Sequence, residues 1–423
     1  MDTTIRVRQF LRRENHERAH LVFRFVPSLS IFAYTLFHSI VADSEVVAEA
    51  LDGNDPGMDE GWADLVDSAG LTRQDIPVDH DRTELMVTQG QVLIIHTGLD
   101  RLKMIVGMKR TEDQSILVRI TVRDDDRKQL QDVAQWIKRL KEVHHPLKGK
   151  TVTLGEDGIT FLPPSTVADE DVILPWGVKE ILLRSFAFLD DPAPWPSTLK
   201  HRGVVLAGPP GVGKTLAARR LSARFGVTTI WVPPGVLAGV GPADVFRLAA
   251  ECKPTLLILE DLNGLEAPGD DPSVFGALLG QMDGFTDLEG VGILATTNRL
   301  ETFGKALNPA DRPGRFHRLI EFKAPGPSLR RRMLVRLLET SAVLEPLDDI
   351  ALERLIEHTE GRTGAQIAEL IRELESRLLW NLQKDRNSKL GTILEELGQE
   401  GRNTKDFGFG RTKTPAPITD GVF

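Results

Sequence analysis

Eight residues, Gly208-Pro209-Pro210-Gly211-Val212-Gly213-Lys214-Thr215, constrain this chain more than any other segment. The apolar run Val204-Val205-Leu206-Ala207 precedes them, and Leu216-Ala217-Ala218-Arg219-Arg220-Leu221 follows. The first run reads as a buried strand, the second as a helix. A glycine turn between such elements aims backbone N–H groups and a helix N-terminus at whatever occupies the turn. The spacing G-x-x-x-x-G-K-T suits a triphosphate. Glycines let the backbone wrap the phosphates, Lys214 reaches the β- and γ-phosphates, and the Thr215 hydroxyl holds Mg²⁺. The competing reading is an ordinary glycine turn, and the flanking strand and helix weigh against it. Gly208 to Thr215, with Leu216 at the helix start, are therefore the expected nucleotide contacts.

At 423 residues the chain is too long for one core and suggests two or three domains. Hydrophobic residues make up 41% and charged residues 27%, an ordinary globular balance. A net charge of −9 argues against a general binder of nucleic acid or anionic membrane. The single cysteine, Cys252, excludes an internal disulfide framework and fits a reducing, cytoplasmic setting. Its simplest role is that of a small buried apolar residue. The N-terminus has no signal-peptide pattern. Residues Phe25 to Ala42 are largely apolar, but Pro27, Ser28, Ser30, Thr35, His38 and Ser39 interrupt them. A packed or oligomer-facing helix is expected there rather than a membrane span.

The first fifty residues read as helical, with Ile5, Val7, Phe10 and Leu11 set among arginines. Strand-like runs follow from Glu84: Val92–Ile95, Leu102–Val106, and an alternating run through Ile116, Val118, Ile120 and Val122. Leu130, Val133, Ile137 and Leu140 keep helical spacing, and Asp124-Asp125-Asp126 suits the acidic first turn of that helix. Thr151–Leu154 and Ile159–Leu162 read as a hairpin joined through Gly155 and Gly158. From about residue 170 strands and helices alternate, which implies a mostly parallel sheet covered on both faces. After Pro325-Gly326-Pro327 the pattern is purely helical, with helices expected around 329–342, 350–359 and 365–385. The expected division is an α+β region over 1–165, an α/β nucleotide core over 166–325, a small helical lid over 326–400 and a tail over 401–423.

A phosphate loop needs a second strand bearing acids. Thr255-Leu256-Leu257-Ile258-Leu259-Glu260-Asp261 provides it. Glu260 is assigned to water-mediated Mg²⁺ coordination and Asp261 to polarising the attacking water. A third strand, Val291–Thr297, ends in Asn298, whose amide can bond the γ-phosphate and the water without adding charge. Read alone, such an Asn is a turn residue.

These motifs, in this order, resemble the AAA ATPases. Gly208–Thr215 looks like their Walker A segment, Leu256–Asp261 like Walker B, and Ala295-Thr296-Thr297-Asn298 like sensor 1. Asp311-Arg312-Pro313-Gly314-Arg315-Phe316 is similar to their second region of homology, and Gly361-Arg362-Thr363-Gly364-Ala365-Gln366-Ile367 to their small-domain turn. The resemblance covers about residues 170–385. It implies an AAA P-loop NTPase core with a C-terminal helical lid, ATP with Mg²⁺, and nucleotide contacts at Gly364 and Ala365. It also implies Arg312 and Arg315 as fingers reaching a neighbouring subunit's γ-phosphate. Without that context the two arginines are a solvated basic turn. The expected assembly is a ring of this chain, a homohexamer or a heptamer, acting on a protein client.

Departures narrow the kinship. Most AAA proteins end Walker B in Asp-Glu, whereas this chain has Glu260-Asp261. That order is similar to the mitochondrial Rieske-protein translocase and its soluble bacterial YjoB-like relatives. Asp126-Arg127-Lys128, Gly149-Lys150-Thr151-Val152, and Val172-Ile173-Leu174-Pro175 with Val178-Lys179-Glu180-Ile181 resemble their flanking segments. Gly239 stands where threading AAA proteins carry a pore-loop aromatic, and Asn263 where many have a further acid. The resemblance implies an ATP-driven chaperone that handles a folded client; the alternative is an ATP-binding scaffold or switch with little turnover. The shorter base Asp261 implies slow hydrolysis. His16 and His20, spaced i, i+4, read as a surface pair, and His144-His145 before Pro146 as a helix cap.

Overall fold

The computed structural model describes residues 7–8, 18–25, 29–49, 71–112, 114–155, 158–191, 195–196, 201–263, 273–284, 288–300, 315–344 and 347–383. They fall into two compact units. The first takes the chain up to 169, then 177–208 and 214–321; the second takes 170–176, 209–213 and the chain from 322.

The first unit holds two sheets. Strands β1 (Val7–Arg8), β2 (Arg18–Phe25), β3 (Glu45–Glu49), β4 (Thr72–Pro77), β5 (Thr83–His96), β6 (Leu102–Arg110) and β7 (Ile116–Arg123) form the earlier one. Its order is β1-β2-β7-β6-β5-β3, with β4 also on β5, and every pairing is antiparallel. This corrects the helical reading of the first fifty residues at Val7–Arg8, Arg18–Phe25 and Glu45–Glu49, while Ile5, Phe10 and Leu11 lie outside the described residues. Leu21, Phe23 and Phe25 are buried while Arg24 is exposed. That is a period of two, which a strand satisfies and a helix does not. A helix does form at Ser30–Ala42, where the spacing stays apolar all round. Such a helix must be covered on every side. It packs on β5, β7 and the helix Leu130–Val143, burying Phe32, Leu36, Phe37 and Ile40. Among the described residues no helix is long and apolar enough to cross a membrane. Asp124–Gln129 forms a 3₁₀ turn ahead of the helix Leu130–Val143, so the three aspartates precede that helix rather than open it.

The later sheet contains β8 (Thr151–Gly155), β9 (Gly158–Leu162), β10 (His201–Ala207), β11 (Thr228–Val232), β12 (Thr255–Leu259), β13 (Val291–Thr297) and β14 (Arg318–Glu321), in the order β14-β10-β13-β12-β11-β8-β9. All neighbours are parallel except β8 and β9. Strands β11, β12 and β13 are buried along their whole length, as a parallel sheet covered on both faces demands. The hairpin β8-β9 forms as its glycines indicate, and β8 extends the parallel sheet beside β11. One hydrophobic cluster runs through both sheets, from Phe25 and Trp136 to Ile230 and Phe316.

Two features seat functional residues. The order of the sheet places β13 between β10 and β12, so the C-terminal ends of these three strands lie side by side. At Gly203 of β10, an added Cβ would fall 2.8 Å from the Phe316 ring and 3.0 Å from the Arg315 carbonyl oxygen. Only glycine lets the Arg315–Phe316 segment lie on the strand. The His317 N–H donates to the Gly203 carbonyl at 2.9 Å, and Phe316 is fully buried.

In the second unit, helices Pro327–Thr340, Asp349–His358 and Gly364–Gln383 enclose a separate core of Leu334, Leu355, Ile367, Leu370 and Leu374. Pro327 opens its helix where a missing N–H costs nothing. The Asp348 carboxylate caps the next helix by accepting from the Ala351 N–H at 2.7 Å. Arg330 is buried, and its guanidinium donates to the Pro325 and Ile356 carbonyls. Asp171 pairs with Arg336 at 2.8 Å.

Candidate nucleotide site

The glycine loop adopts the backbone that its composition allows. Gly208, Gly211 and Gly213 have φ of 146°, 80° and 101°, a region L side chains rarely enter. The helix Lys214–Phe225 starts at the loop's lysine, so the loop runs directly into a helix N-terminus. Pro209, Pro210 and Thr215 are exposed, and Val212 is buried.

In the first unit, Lys214 sits at the centre of a polar cluster. It is 7% exposed, and its Nζ donates to the Gly208 carbonyl at 2.5 Å and to Asn298 Oδ1 at 2.7 Å. Burial lowers its pKa and the nearby Asp261 carboxylate opposes that shift. Asp261 lies beyond the end of β12 with φ of 46°, a left-handed conformation for a residue with a Cβ. Its backbone N–H donates to Thr296 Oγ1 at 2.9 Å. Its Oδ1 accepts from Asn298 Nδ2 at 3.4 Å and from Asn263 Nδ2 at 2.5 Å. The Thr297 hydroxyl donates to Asn263 Oδ1 at 2.6 Å and accepts the Arg299 N–H at 3.2 Å. Glu260 continues the β11–β12 ladder, its N–H donating to the Val232 carbonyl at 3.0 Å, with its side chain partly exposed.

Of the expected residues, the structure thus brings Gly208, Lys214, Asp261 and Asn298 together. Thr215, in the first turn of its helix, is exposed, and Glu260, just beyond β12, is partly exposed; both side chains offer oxygen, the donor type that Mg²⁺ takes. Arg315 is partly buried beside Phe316, and Arg312 lies outside the described residues. In the second unit, Gly211 meets the turn before the last helix. The Ala365 N–H donates to the Gly211 carbonyl at 3.0 Å, and a Cβ on Gly211 would fall 2.8 Å from Thr363 Oγ1. Gly364 lies in ordinary contact, its added Cβ 3.5 Å from the Gly211 carbonyl oxygen.

Sequence reasoning missed Thr296 and Thr297 as site residues, although both stand in the stretch Ala295–Asn298. Their hydroxyls matter only through the register that sets Leu259 opposite Ala295. Gly239 is exposed in the helix Pro234–Val240, with nothing within 4 Å of an added Cβ.

For the two histidine pairs, the structure alters the helical spacing assumed at His20 and the cap role assumed for His145, and leaves the surface-pair reading of His16 and His20 untested. Residues 16–20 spell His-Glu-Arg-Ala-His, a pattern that binds zinc only when a helix turn gathers both imidazoles. His20 lies in strand β2, and His16 lies outside the described residues. His144 does cap its helix, but His145 packs edge-on against Phe32 and lies 3.7 Å from the Cys252 sulfur. Burial and Lys141 push His145 down to about 4, and burial with Glu251 raises the Cys252 thiol, leaving it inert.

Residues 204–324 match the ATPase family associated with various cellular activities (AAA), so the chain carries an AAA ATPase domain. The chain is 35% identical to a proteasome-activating nucleotidase of Aeropyrum pernix over 189 residues, covering 41% of this chain and 44% of that protein. It is 32% identical to the ATP-dependent zinc metalloprotease FtsH of Nitrosococcus oceani over 238 residues, 52% of this chain and 35% of that protein. The 26S proteasome regulatory subunit 6A of Encephalitozoon cuniculi is 35% identical over 181 residues, 39% of this chain and 44% of that one. The chain therefore spans less than half the length of these relatives.

Proposed function

We propose that this protein hydrolyses ATP to ADP and phosphate and uses the cycle to remodel a protein client. The observation that supports it best is the contact set around Lys214, in which a buried lysine, Asn298 and Asp261 share one cluster at the ends of β10, β12 and β13. Ligands in open α/β sheets bind at this edge. The loop Gly208–Thr215 cradles the phosphates, and Lys214 exchanges its Gly208 contact for phosphate oxygens. Thr215, and Glu260 through water, would hold Mg²⁺, which when bound would supply positive charge to offset that of the triphosphate. Asp261 accepts the proton of the attacking water while Asn298 orients it. The new bond forms between water oxygen and γ-phosphorus, the β–γ bridging bond breaks, and ADP leaves. Arg312 and Arg315 stabilise the transition state from the next subunit, which makes the assembly a ring, six-membered as in the usual AAA arrangement.

The Glu260-Asp261 order places the chain, in our reading, beside the Rieske-protein translocase and its YjoB-like relatives. Gly239, exposed where a gripping aromatic would stand, favours handling of a folded client over threading. Steady-state phosphate release from wild type and Lys214→Ala tests the enzyme. A loss of on the order of 100-fold is expected for the variant. Equal release from both would leave only the reading of an ATP-binding scaffold or switch.

A further inference from the structure

We infer that Asn263 is the residue that positions the catalytic carboxylate, and that its amide is matched to an aspartate at 261. The inference rests on Asp261 acting as the base. Asn263 lies two residues beyond it, and the left-handed backbone of Asp261 turns the chain back so that the two side chains meet. Asp261 ionised can only accept hydrogen bonds, so Asn263 must present its NH₂ group to Asp261 Oδ1. That leaves the Asn263 carbonyl for the Thr297 hydroxyl, which donates at 2.6 Å. The Thr297 oxygen in turn accepts the Arg299 N–H at 3.2 Å. Every donor in this series has one acceptor and every proton one direction. The side chain of Asn263 is thereby fixed from strand β13, and it fixes Asp261 in turn.

Two further bonds complete the holding of Asp261. Thr296 Oγ1 receives its backbone N–H, and Asn298 Nδ2 donates to the same carboxylate oxygen at 3.4 Å. Asn298 also touches Lys214, so the series extends from Arg299 to the phosphate lysine without leaving the first unit. An aspartate at 263 would have no donor to offer. It would place a second negative charge at hydrogen-bond distance from the first, and like charges so close repel. A neutral amide therefore goes with this base.

The assay is steady-state ATP hydrolysis by the full-length protein, with fluorescent ADP binding and thermal midpoint measured in parallel. Asn263→Ala is expected to lower kcat on the order of 10- to 100-fold while KM and ADP affinity stay within about twofold, the range seen when an orienting partner is removed. Asn263→Asp, nearly the same in shape, is expected to lose at least as much. Thr297→Val is expected to reproduce the loss and Thr297→Ser to restore activity, because only the hydroxyl matters. Wild-type kcat in Asn263→Asp, or equal rates in Thr297→Val and Thr297→Ser, would overturn the inference. So would a kcat loss in Asn263→Ala that comes with matching losses of ADP affinity and midpoint. Asp261→Asn serves as the control: if it still hydrolyses ATP at the wild-type rate, the base assignment fails instead.

Discussion

Replacing His145 by glutamine should change how stability depends on pH, and by an amount that follows from its surroundings. The imidazole sits between Phe32, at 5.1 Å ring to ring, and the Cys252 sulfur, with its Nδ1 accepting the Leu147 N–H at 3.3 Å. Burial is the main cause that pushes it from 6.5 down to about 4, and the Lys141 and Lys148 charges add to it. Between those values the unfolded chain binds a proton at this site and the folded chain does not. Stability rises with pH wherever the unfolded state binds more protons. The contribution is thus fully present above pH 6.5 and is lost as pH falls through 4. At ~1.4 kcal/mol per tenfold change in proton affinity, the loss amounts to roughly 3 kcal/mol once both forms are protonated, and to about 2.5 kcal/mol at pH 4.5. Glu251 lines the same small cavity, and burial raises its carboxyl, so its contribution has the opposite sign. It is present in both proteins and cancels in their difference. Urea unfolding followed by circular dichroism at pH 7.5, 6.5, 5.5 and 4.5 provides the assay. At pH 7.5 the variant should be less stable by about 1 kcal/mol, having lost the ring contact and its hydrogen bond. By pH 4.5 the order should reverse. Parallel curves for wild type and His145→Gln would refute the reasoning.

Two further outcomes test the loop and the helix near it in sequence. Gly211→Ala places a Cβ 2.8 Å from Thr363 Oγ1 and 3.0 Å from Ala365 Cβ, on a residue whose φ is 80°. The conformation alone costs an alanine ~1–2 kcal/mol, so ADP affinity by fluorescence titration should fall about tenfold or more; binding within twofold of wild type would show that the loop tolerates the contact. Gly239→Tyr meets nothing within 4 Å of its Cβ and replaces a helical glycine. Calorimetry should find stability unchanged within ~0.5 kcal/mol or slightly raised, and a marked fall in midpoint would mean that the exposed position is not free.

The legible parts of the sequence were those in which chemistry is tied to local spacing. The glycine loop, the acid pair after four aliphatic residues and the strand ending in Asn298 are each contained in fewer than ten residues. Their neighbours in space, β10, β12 and β13, follow from a parallel sheet. What escaped reading depends on register or on distant segments. Thr296 and Thr297 matter because β13 lies beside β12, and Asn263, visible only as a departure from the family pattern, acquires a role once Thr297 is seen to hold it. His145 looked like a helix cap, since Cys252, which shares its buried environment, is 107 residues away. The Arg18–Phe25 segment was misread because it was taken into a helical reading of the first fifty residues that rested on Ile5, Val7, Phe10 and Leu11. Burial of Leu21, Phe23 and Phe25 in alternation is the better guide.

The β8-β9 hairpin carries a practical consequence for anyone dissecting the protein. A cut at residue 165 would separate the antiparallel strands from the nucleotide core on paper, yet it would remove the strand that pairs with β11 through Thr151–Thr153. The backbone of β11, buried from Thr228 to Val232, would become an open edge offering unpaired N–H and C=O groups to any other chain. Edges of that kind template aggregation. The smallest soluble fragment carrying the glycine loop therefore begins upstream of Thr151, and Lys150, whose carbonyl accepts the Thr229 N–H at 2.9 Å, belongs inside it.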